Sequence, residues 1–68
     1  MKTVELCEHS VSRLYREGYY DTYRHRYEFI NFASRNEKGQ LCIIVKRYRL
    51  IDIARRYYDT FELVKIYW

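Results

Sequence analysis

Proline is absent from this chain of 68 residues, and glycine occurs only as Gly18 and Gly39. Both residue types mark sharp reversals of the backbone, so the chain has few reversals and the two glycines should lie at the ends of elements. No stretch approaches the roughly 18 consecutive apolar residues of a membrane-spanning helix. The opening residues, MKTVELCEHS, also lack the apolar run of a secretory signal. These absences favour a soluble protein of the cytoplasm.

Cysteine is scarce as well, since only Cys7 and Cys42 are present. They could form a single disulfide, whereas small secreted folds usually carry several, so we predict that both are reduced core residues. Together with His9 and His25 they are just numerous enough to hold a metal ion. A cysteine and a histidine separated by one residue do not match the ligand spacing of structural zinc sites, so we predict no metal and no cofactor.

The residue patterns of common catalytic sites are missing too. The chain has no glycine-rich phosphate loop and no nucleophile placed beside an oriented base. His25 lies between two arginines whose charge opposes its protonation, and neither Asp52 nor Asp59 has an evident partner. A chain of this length also has little room for a substrate cleft. We therefore predict that the protein is not an enzyme.

The composition is that of one small globular domain. Apolar residues make up 49% and charged residues 32%, which lies outside the range of disordered chains. A chain of this size buries only about 60% of its unfolded surface and cannot divide into two cores. We predict a single compact domain over residues 1–68.

Arginine and tyrosine dominate the remaining composition. The net charge is +4, but residues 24–56 hold nine lysines and arginines against three carboxylates. The chain has nine arginines and nine tyrosines, two residue types enriched in recognition surfaces because both combine large contact area with directed polar atoms. The basic region is the predicted place of contact with a partner.

Local patterns predict five elements in the order α-β-β-α-β. A helix is expected over Thr3–Glu17, ending at Gly18, and a loop to about Thr22 precedes a strand over Tyr23–Arg35. The segment RNEKGQ predicts a turn that joins this strand to a second one as a hairpin. Apolar residues from Leu50 to Phe61 recur at helical spacing, with Asp52 and Arg56 spaced for an ion pair, and FELVKIYW predicts a third strand.

This order predicts an α+β fold with two layers, in which two helices cover one face of a three-stranded antiparallel sheet. A three-residue hairpin loop would place Asn36 opposite Gln40, whereas a two-residue turn at Lys38-Gly39 would shift the register by one and exchange the faces. In the first register the covered face carries Ile30, Phe32, Cys42, Ile44 and Tyr48. The other face carries Tyr27, Phe29, Asn31, Ala33, Ile43, Val45, Arg47 and Arg49.

The candidate partner-binding surface is this second, uncovered face. Tyr27, Phe29, Arg47 and Arg49 would lie together there, joined by Lys65 and Tyr67 if the third strand pairs beside the hairpin. Rings among cations suit three roles: anchors on a protein partner, stacking platforms for single-stranded RNA or DNA, or the interface of a homodimer. Each feature also has a structural explanation that needs no partner. The tyrosines could pack in the core, and the arginines could lie on the solvent-exposed side of the second helix.

The tail KRYRLIDIARRYYDTFELVKIYW, with its expected strand, short helix and closing strand, resembles the end unit of many very small phage proteins. These include some anti-CRISPR and host-takeover proteins. The resemblance covers about a third of the chain and implies a non-enzymatic inhibitor that occludes a host protein or nucleoprotein complex. The leading hypothesis is therefore a phage or mobile-element inhibitor acting in the host cytoplasm. Sequence-tolerant binding of RNA or DNA is the alternative.

Overall fold

The computed structural model describes residues 1–52, 54–55 and 57–68. Its elements are β1 (Lys2–Glu5), α1 (Glu8–Glu17), β2 (Tyr19–Asp21), β3 (His25–Ala33), β4 (Cys42–Asp52) and β5 (Tyr57–Tyr67). The strands form one sheet in the order β1-β5-β4-β3-β2, in which only the β1–β5 pair is parallel. The predicted three-stranded antiparallel sheet with two helices is therefore wrong, because the described residues form a five-stranded mixed sheet with one helix. None of the helical structure described is long and apolar enough to cross a membrane.

The N-terminal segment shows how distant pairing overrides local helical spacing. Residues 2–5 form a strand that pairs with residues 64–67, and Val4 lies opposite Ile66. The helix begins only at Glu8, after Cys7. The expected helix over Thr3–Glu17 is thus wrong for its first turn, because pairing with β5 satisfies that part of the backbone instead.

The end of α1 at Gly18 is confirmed. Gly18 adopts the left-handed conformation with φ 86°, and its backbone N–H donates to the carbonyl of Leu14 at 2.9 Å. This conformation carries the chain directly from the helix into β2.

Substitution of Gly18 by alanine should destabilise the fold by about 1 kcal/mol, because an L side chain disfavours the left-handed conformation. A Cβ at Gly18 would meet nothing within 4 Å, so the whole cost is conformational. Urea unfolding followed by circular dichroism measures it. Gly18→Asn should lose less, since asparagine tolerates this conformation, and equal losses for both variants would contradict the explanation.

The core lies between α1 and one face of the sheet. Because α1 connects β1 to β2, the two opposite edge strands, it must cross the sheet, and it buries Val11 and Leu14 against it. We call this side the covered face; its buried strand residues are Tyr27, Ile43, Val45, Val64 and Ile66. Strand alternation places a second set on the other side, the open face: Arg26, Glu28, Ile44, Lys46, Tyr48, Phe61, Leu63 and Lys65. The predicted covered face carried Ile44 and Tyr48, so the assignment of faces is wrong.

The β3–β4 loop forms as expected. The Asn36 N–H donates to the carbonyl of Gln40 at 3.0 Å, and the Gly39 N–H donates to that of Asn36 at 2.9 Å, with Gly39 at φ 79°. The predicted register is nevertheless wrong beyond the loop. Ala33 lies opposite Cys42, one residue from its expected partner, and Phe29 lies opposite Val45, two residues from its expected partner.

The register is wrong by two residues at Phe29, and not by one as at Ala33, because β3 has a β-bulge at Ile30 between them. Phe29 and Asn31 lie opposite neighbouring residues of β4, which leaves Ile30 as the extra residue of β3. Phe29 and Phe32 consequently share the covered face, where their rings are 5.5 Å apart and each lies 5.7 Å from the ring of Tyr15 on α1. Strict alternation would have placed them on opposite faces.

The predicted second helix is also wrong. β4 continues to Asp52 and β5 begins at Tyr57, so most of that segment is extended and paired across the β4–β5 hairpin. Ile53 and Arg56 lie outside the described residues, and with them the expected Asp52–Arg56 pair. The predicted third strand, FELVKIYW, is confirmed as the second part of a longer strand.

Candidate functional site

Four of the predicted partner-binding residues do share one face, but it is the covered one. Tyr27 is only 4% exposed and belongs to the core, and Phe29 packs against that core beside α1. Arg47 and Arg49 continue the same face beyond the helix. The expectation of an open surface is therefore wrong for Tyr27, because its hydroxyphenyl group is needed to fill the space beneath α1.

Lys65 and Tyr67 lie on the opposite side of the sheet. Lys65 pairs with Ile44 of the open face, and Tyr67 is two residues further along β5. Both line a groove with Thr3 and the β3–β4 loop. The six predicted residues are thus divided between two faces and do not form one surface.

The two arginines of the covered face are engaged by carboxylates of β5. Arg47 donates to Glu62, and Arg49 donates to Asp59 at 2.6 Å. The hydrogen bond from Arg47 lowers the pKa of Glu62, and the Thr60 backbone N–H, followed by Arg49, lowers that of Asp59. Asp59 therefore has a partner that the sequence did not reveal.

His25 lies beside these pairs and is half-buried. Its ring centroid is 6.1 Å from that of Tyr27. Burial of the imidazole lowers the pKa of His25 below its ordinary value. The charges of Arg47 and Arg24 lower it further, whereas Glu62 opposes the shift.

Acidification should therefore destabilise the fold before the carboxylates titrate. With a lowered folded pKa, the unfolded chain binds a proton that the folded chain rejects, so stability is lost as the pH falls below about 6.5. Urea midpoints measured between pH 7.5 and pH 5.5 should decline, and His25→Gln should flatten that decline. An unchanged slope in the variant would show that burial of His25 is not the cause.

The open face carries a connected series of rings and cations. The Arg26 guanidinium lies 4.4 Å from the ring centroid of Tyr19 and 5.7 Å from that of Tyr58. The ring of Tyr48 follows, at 5.9 Å from Tyr58 and 5.4 Å from Phe61. The series ends where Lys46 Nζ lies 4.7 Å above the ring of Phe61. We call these residues the aromatic–cation row: Tyr19, Arg26, Lys46, Tyr48, Tyr58 and Phe61.

Arg26 is held firmly within this row. Its Nε lies 3.8 Å from a carboxylate oxygen of Asp21 and 3.7 Å from one of Glu28, and a terminal nitrogen donates to the Tyr58 hydroxyl at 3.4 Å. The bond to Tyr58 is the main cause of its raised pKa. The Arg26 guanidinium is thus engaged by the rings and carboxylates on either side of it within the row.

The most accessible part of the row is the end formed by Phe61. Phe61 is 47% exposed and the neighbouring Leu63 is 46% exposed. In the part of the chain that the structure describes, neither Lys46 nor Lys65 has a carboxylate within ion-pair distance. This region therefore combines exposed apolar side chains with two lysines that have no ion-pair partner among the described residues.

Sequence reasoning missed most of this row, because it assigned Tyr58 and Phe61 to a helix and Tyr48 to the covered face. The available signal was the two-residue alternation itself. Lys46, Tyr48 and Leu50 alternate in β4, as Phe61, Leu63 and Lys65 do in β5. Both runs mix rings or aliphatic groups with lysine, which is typical of a strand face that no helix covers.

The expected positions of the cysteines are only half correct. Cys42 is buried, but Cys7 is exposed and precedes α1, with its Sγ 3.1 Å from the Ser10 hydroxyl. Both are free thiols. Within residues 1–52, 54–55 and 57–68, no three histidine, cysteine or acidic side chains are grouped so that they could hold a metal ion.

No protein family, curated protein or solved structure matches this chain. Its function must therefore be inferred from the residues and their geometry.

Proposed function

We propose that this chain is a non-enzymatic protein-binding module that docks its open face on a host protein. An inhibitor of the phage or mobile-element type, acting in the cytoplasm of the host, is the role we favour. The observation that carries the proposal is the uncovered sheet face, where Phe61 and Leu63 are about half exposed beside the aromatic–cation row. Aromatic side chains and arginine supply much of the energy of protein interfaces, because they combine large apolar area with directed polar groups.

The geometry of the row favours a protein over a nucleic acid. Binding of unpaired bases requires free ring faces on which the bases stack. Here the face of Tyr19 is occupied by Arg26, and that of Phe61 by Lys46. A base could stack on either ring only by displacing a cation that the ring already attracts.

The charge of the open face points the same way. Its three cations are accompanied by three carboxylates, two of which lie beside Arg26, so the face lacks the uniform positive potential that attracts a phosphate backbone. The face carries Arg26, Lys46 and Lys65 together with Glu5, Asp21 and Glu28. The two lysines without carboxylate partners predict that acidic side chains of the partner protein surround its apolar contact with Phe61 and Leu63.

Replacement of Phe61 by alanine should weaken partner binding at least about 30-fold, the effect of losing one interface anchor worth about 2 kcal/mol. Tagged wild-type protein would be used to isolate a partner from nuclease-treated host lysate, and the affinities of the variants for the purified partner would be measured by calorimetry. Tyr15→Ala is the control, because Tyr15 is also an exposed ring, 61% against 47% for Phe61, but lies on the helix side of the molecule.

Circular dichroism would verify that both variants are folded. Equal affinities of Phe61→Ala and the wild type would remove the open face as the docking surface. A gel shift of single-stranded RNA or DNA by the wild type that weakens steeply with salt would instead favour nucleic acid as the target.

A further inference from the structure

The outer edge of β5 is only partly covered. β1 pairs with Val64–Tyr67, whereas β5 begins at Tyr57. Among the residues that the structure describes, no strand lies beside residues 57–63 on that side. The free edge, as we call residues 57–63, therefore presents backbone donors and acceptors to any extended chain that approaches it.

The devices that usually protect a strand edge are weak here. The segment YYDTFEL contains neither proline nor lysine, the two residues that most effectively prevent pairing at an edge. Its charged residues, Asp59 and Glu62, are engaged by Arg49 and Arg47 within the sheet. The edge does carry a β-bulge, because Asp59 and Thr60 of β5 both lie opposite Arg49 of β4. The bulge bends the strand locally, but β5 runs on as one strand to Tyr67.

The two sides of the free edge differ in chemistry. On the open face, Phe61 and Leu63 offer apolar surface. On the other side lies a groove with a volume of about 340 Å³, whose wall includes Thr60 and Glu62 of the edge itself. Lys2 and Arg49 also line this groove, and their side chains are 71% and 70% exposed.

We propose that the free edge accepts an extended segment of a partner protein as an additional strand, and that this segment alternates apolar with acidic residues. Successive side chains of a strand point to opposite faces, so one set would lie on Phe61 and Leu63. The other set would reach the groove, within range of Lys2 and Arg49. This inference rests on the proposed function in taking a protein as the partner and in using Phe61 and Leu63 as apolar contacts.

The charges around the groove favour carboxylates in the second set. Arg47 and Arg49 are each bonded to one carboxylate of β5, and Lys2 lies 3.8 Å from Glu62, which Arg47 already holds. His25, which also lines the groove, has a lowered pKa and adds little positive charge at neutral pH. One positive charge therefore remains uncompensated, and an acidic side chain would compensate it.

A second copy of this chain is a poorer occupant. Its own free edge would bring Asp59 and Glu62, which its own arginines already hold. Pairing between two free edges would also have to stop at Val64, because β1 covers β5 from that residue onwards. Self-pairing would thus be short and would leave the positive charge of the groove without a partner.

The test uses a fluorescein-labelled, end-capped peptide of ten residues that alternates valine and glutamate. Fluorescence anisotropy should show saturable binding to the full chain, and a valine–lysine peptide of the same length should not bind. Two further peptides, N-methylated at every valine or at every glutamate, test strand addition directly, because only one set of amides faces the edge. We expect one of them to lose binding and the other to keep it; retention by both would overturn the proposal.

Variants of the chain test the groove. The double substitution Lys2→Glu and Arg49→Glu should weaken binding of the valine–glutamate peptide by about tenfold or more, since it reverses the two exposed charges. The matched control, Arg16→Glu with Lys38→Glu, makes the same change at exposed positions away from the edge and should bind like the wild type. Equal binding by both double variants would overturn the assignment of the groove.

Hydrogen exchange of the backbone amides locates the peptide. Amides within residues 57–63 should exchange more slowly when the peptide is bound. If they are already protected in a dimer of the free protein, detected by sedimentation, the occupant is a second copy and the proposal fails. These readouts do not depend on Phe61→Ala, so failure of the edge and failure of the open face can be distinguished.

Discussion

Leu14→Ala is expected to remove about 2–5 kcal/mol of folding free energy, because it leaves a cavity where a fully buried side chain joins α1 to the sheet. A domain of this length has a total stability of about 3–10 kcal/mol, so the variant should be close to unfolding at room temperature. Urea or thermal unfolding followed by circular dichroism provides the measurement.

Ser12→Ala is the matched control within the same helix. Ser12 is exposed, so its replacement changes neither the core nor the helix termini and should alter stability by less than about 0.5 kcal/mol. Similar losses for both variants would show that α1 does not cover the sheet as described.

Alanine substitutions at Ile43 and Ile44 should have very different effects, although the two residues are neighbours and undergo the same chemical change. Ile43 is 1% exposed beneath α1, so Ile43→Ala should cost about 2–5 kcal/mol. Ile44 lies on the open face and is half-buried, so Ile44→Ala should cost about 1 kcal/mol.

The comparison is measured by urea unfolding of both variants at one pH. It tests which side of the sheet is covered, independently of any binding partner. A larger loss for Ile44→Ala would support the reversed assignment of faces that the sequence pattern favoured.

The features that could be predicted from the sequence are those set by nearby residues. Gly18 ends α1 and Gly39 lies in the β3–β4 loop, both with positive φ, because glycine adopts this conformation more readily than residues with a side chain. The whole of α1, Glu8–Glu17, followed from the apolar spacing of the predicted helix. The final strand followed from its β-branched and aromatic residues.

The features that could not be predicted depend on distant pairing. Residues 3–5 fit the predicted helical pattern, but they form a strand because β5 provides a neighbour. Apolar residues after Leu50 fit helical spacing as well, but Leu50 pairs with Tyr58 across a hairpin. In both segments tertiary pairing outweighs a weak local preference.

The prediction of the candidate site failed at two steps, the assignment of faces and the placement of Lys65 and Tyr67, which lie on the opposite side of the sheet. Strand alternation correctly grouped Tyr27, Phe29, Arg47 and Arg49. Apolar content alone then suggested that the face with Ile44 was covered, whereas α1 packs on the face with Ile43 and Val45. Arg47 and Glu62 also lie on that face, beyond the helix. Because of such charged residues, the sequence pattern did not identify this face as the side of the core.

The pairing of β1 with β5 has a consequence for the order of folding. Lys2 and Val64 are neighbours in the sheet although they lie far apart in the sequence, so β1 is synthesised well before the strand with which it pairs. Contacts of such long range slow folding, since the intervening loop must close first. Until residues 64–67 have been synthesised, the backbone groups of β1 lack their partner strand.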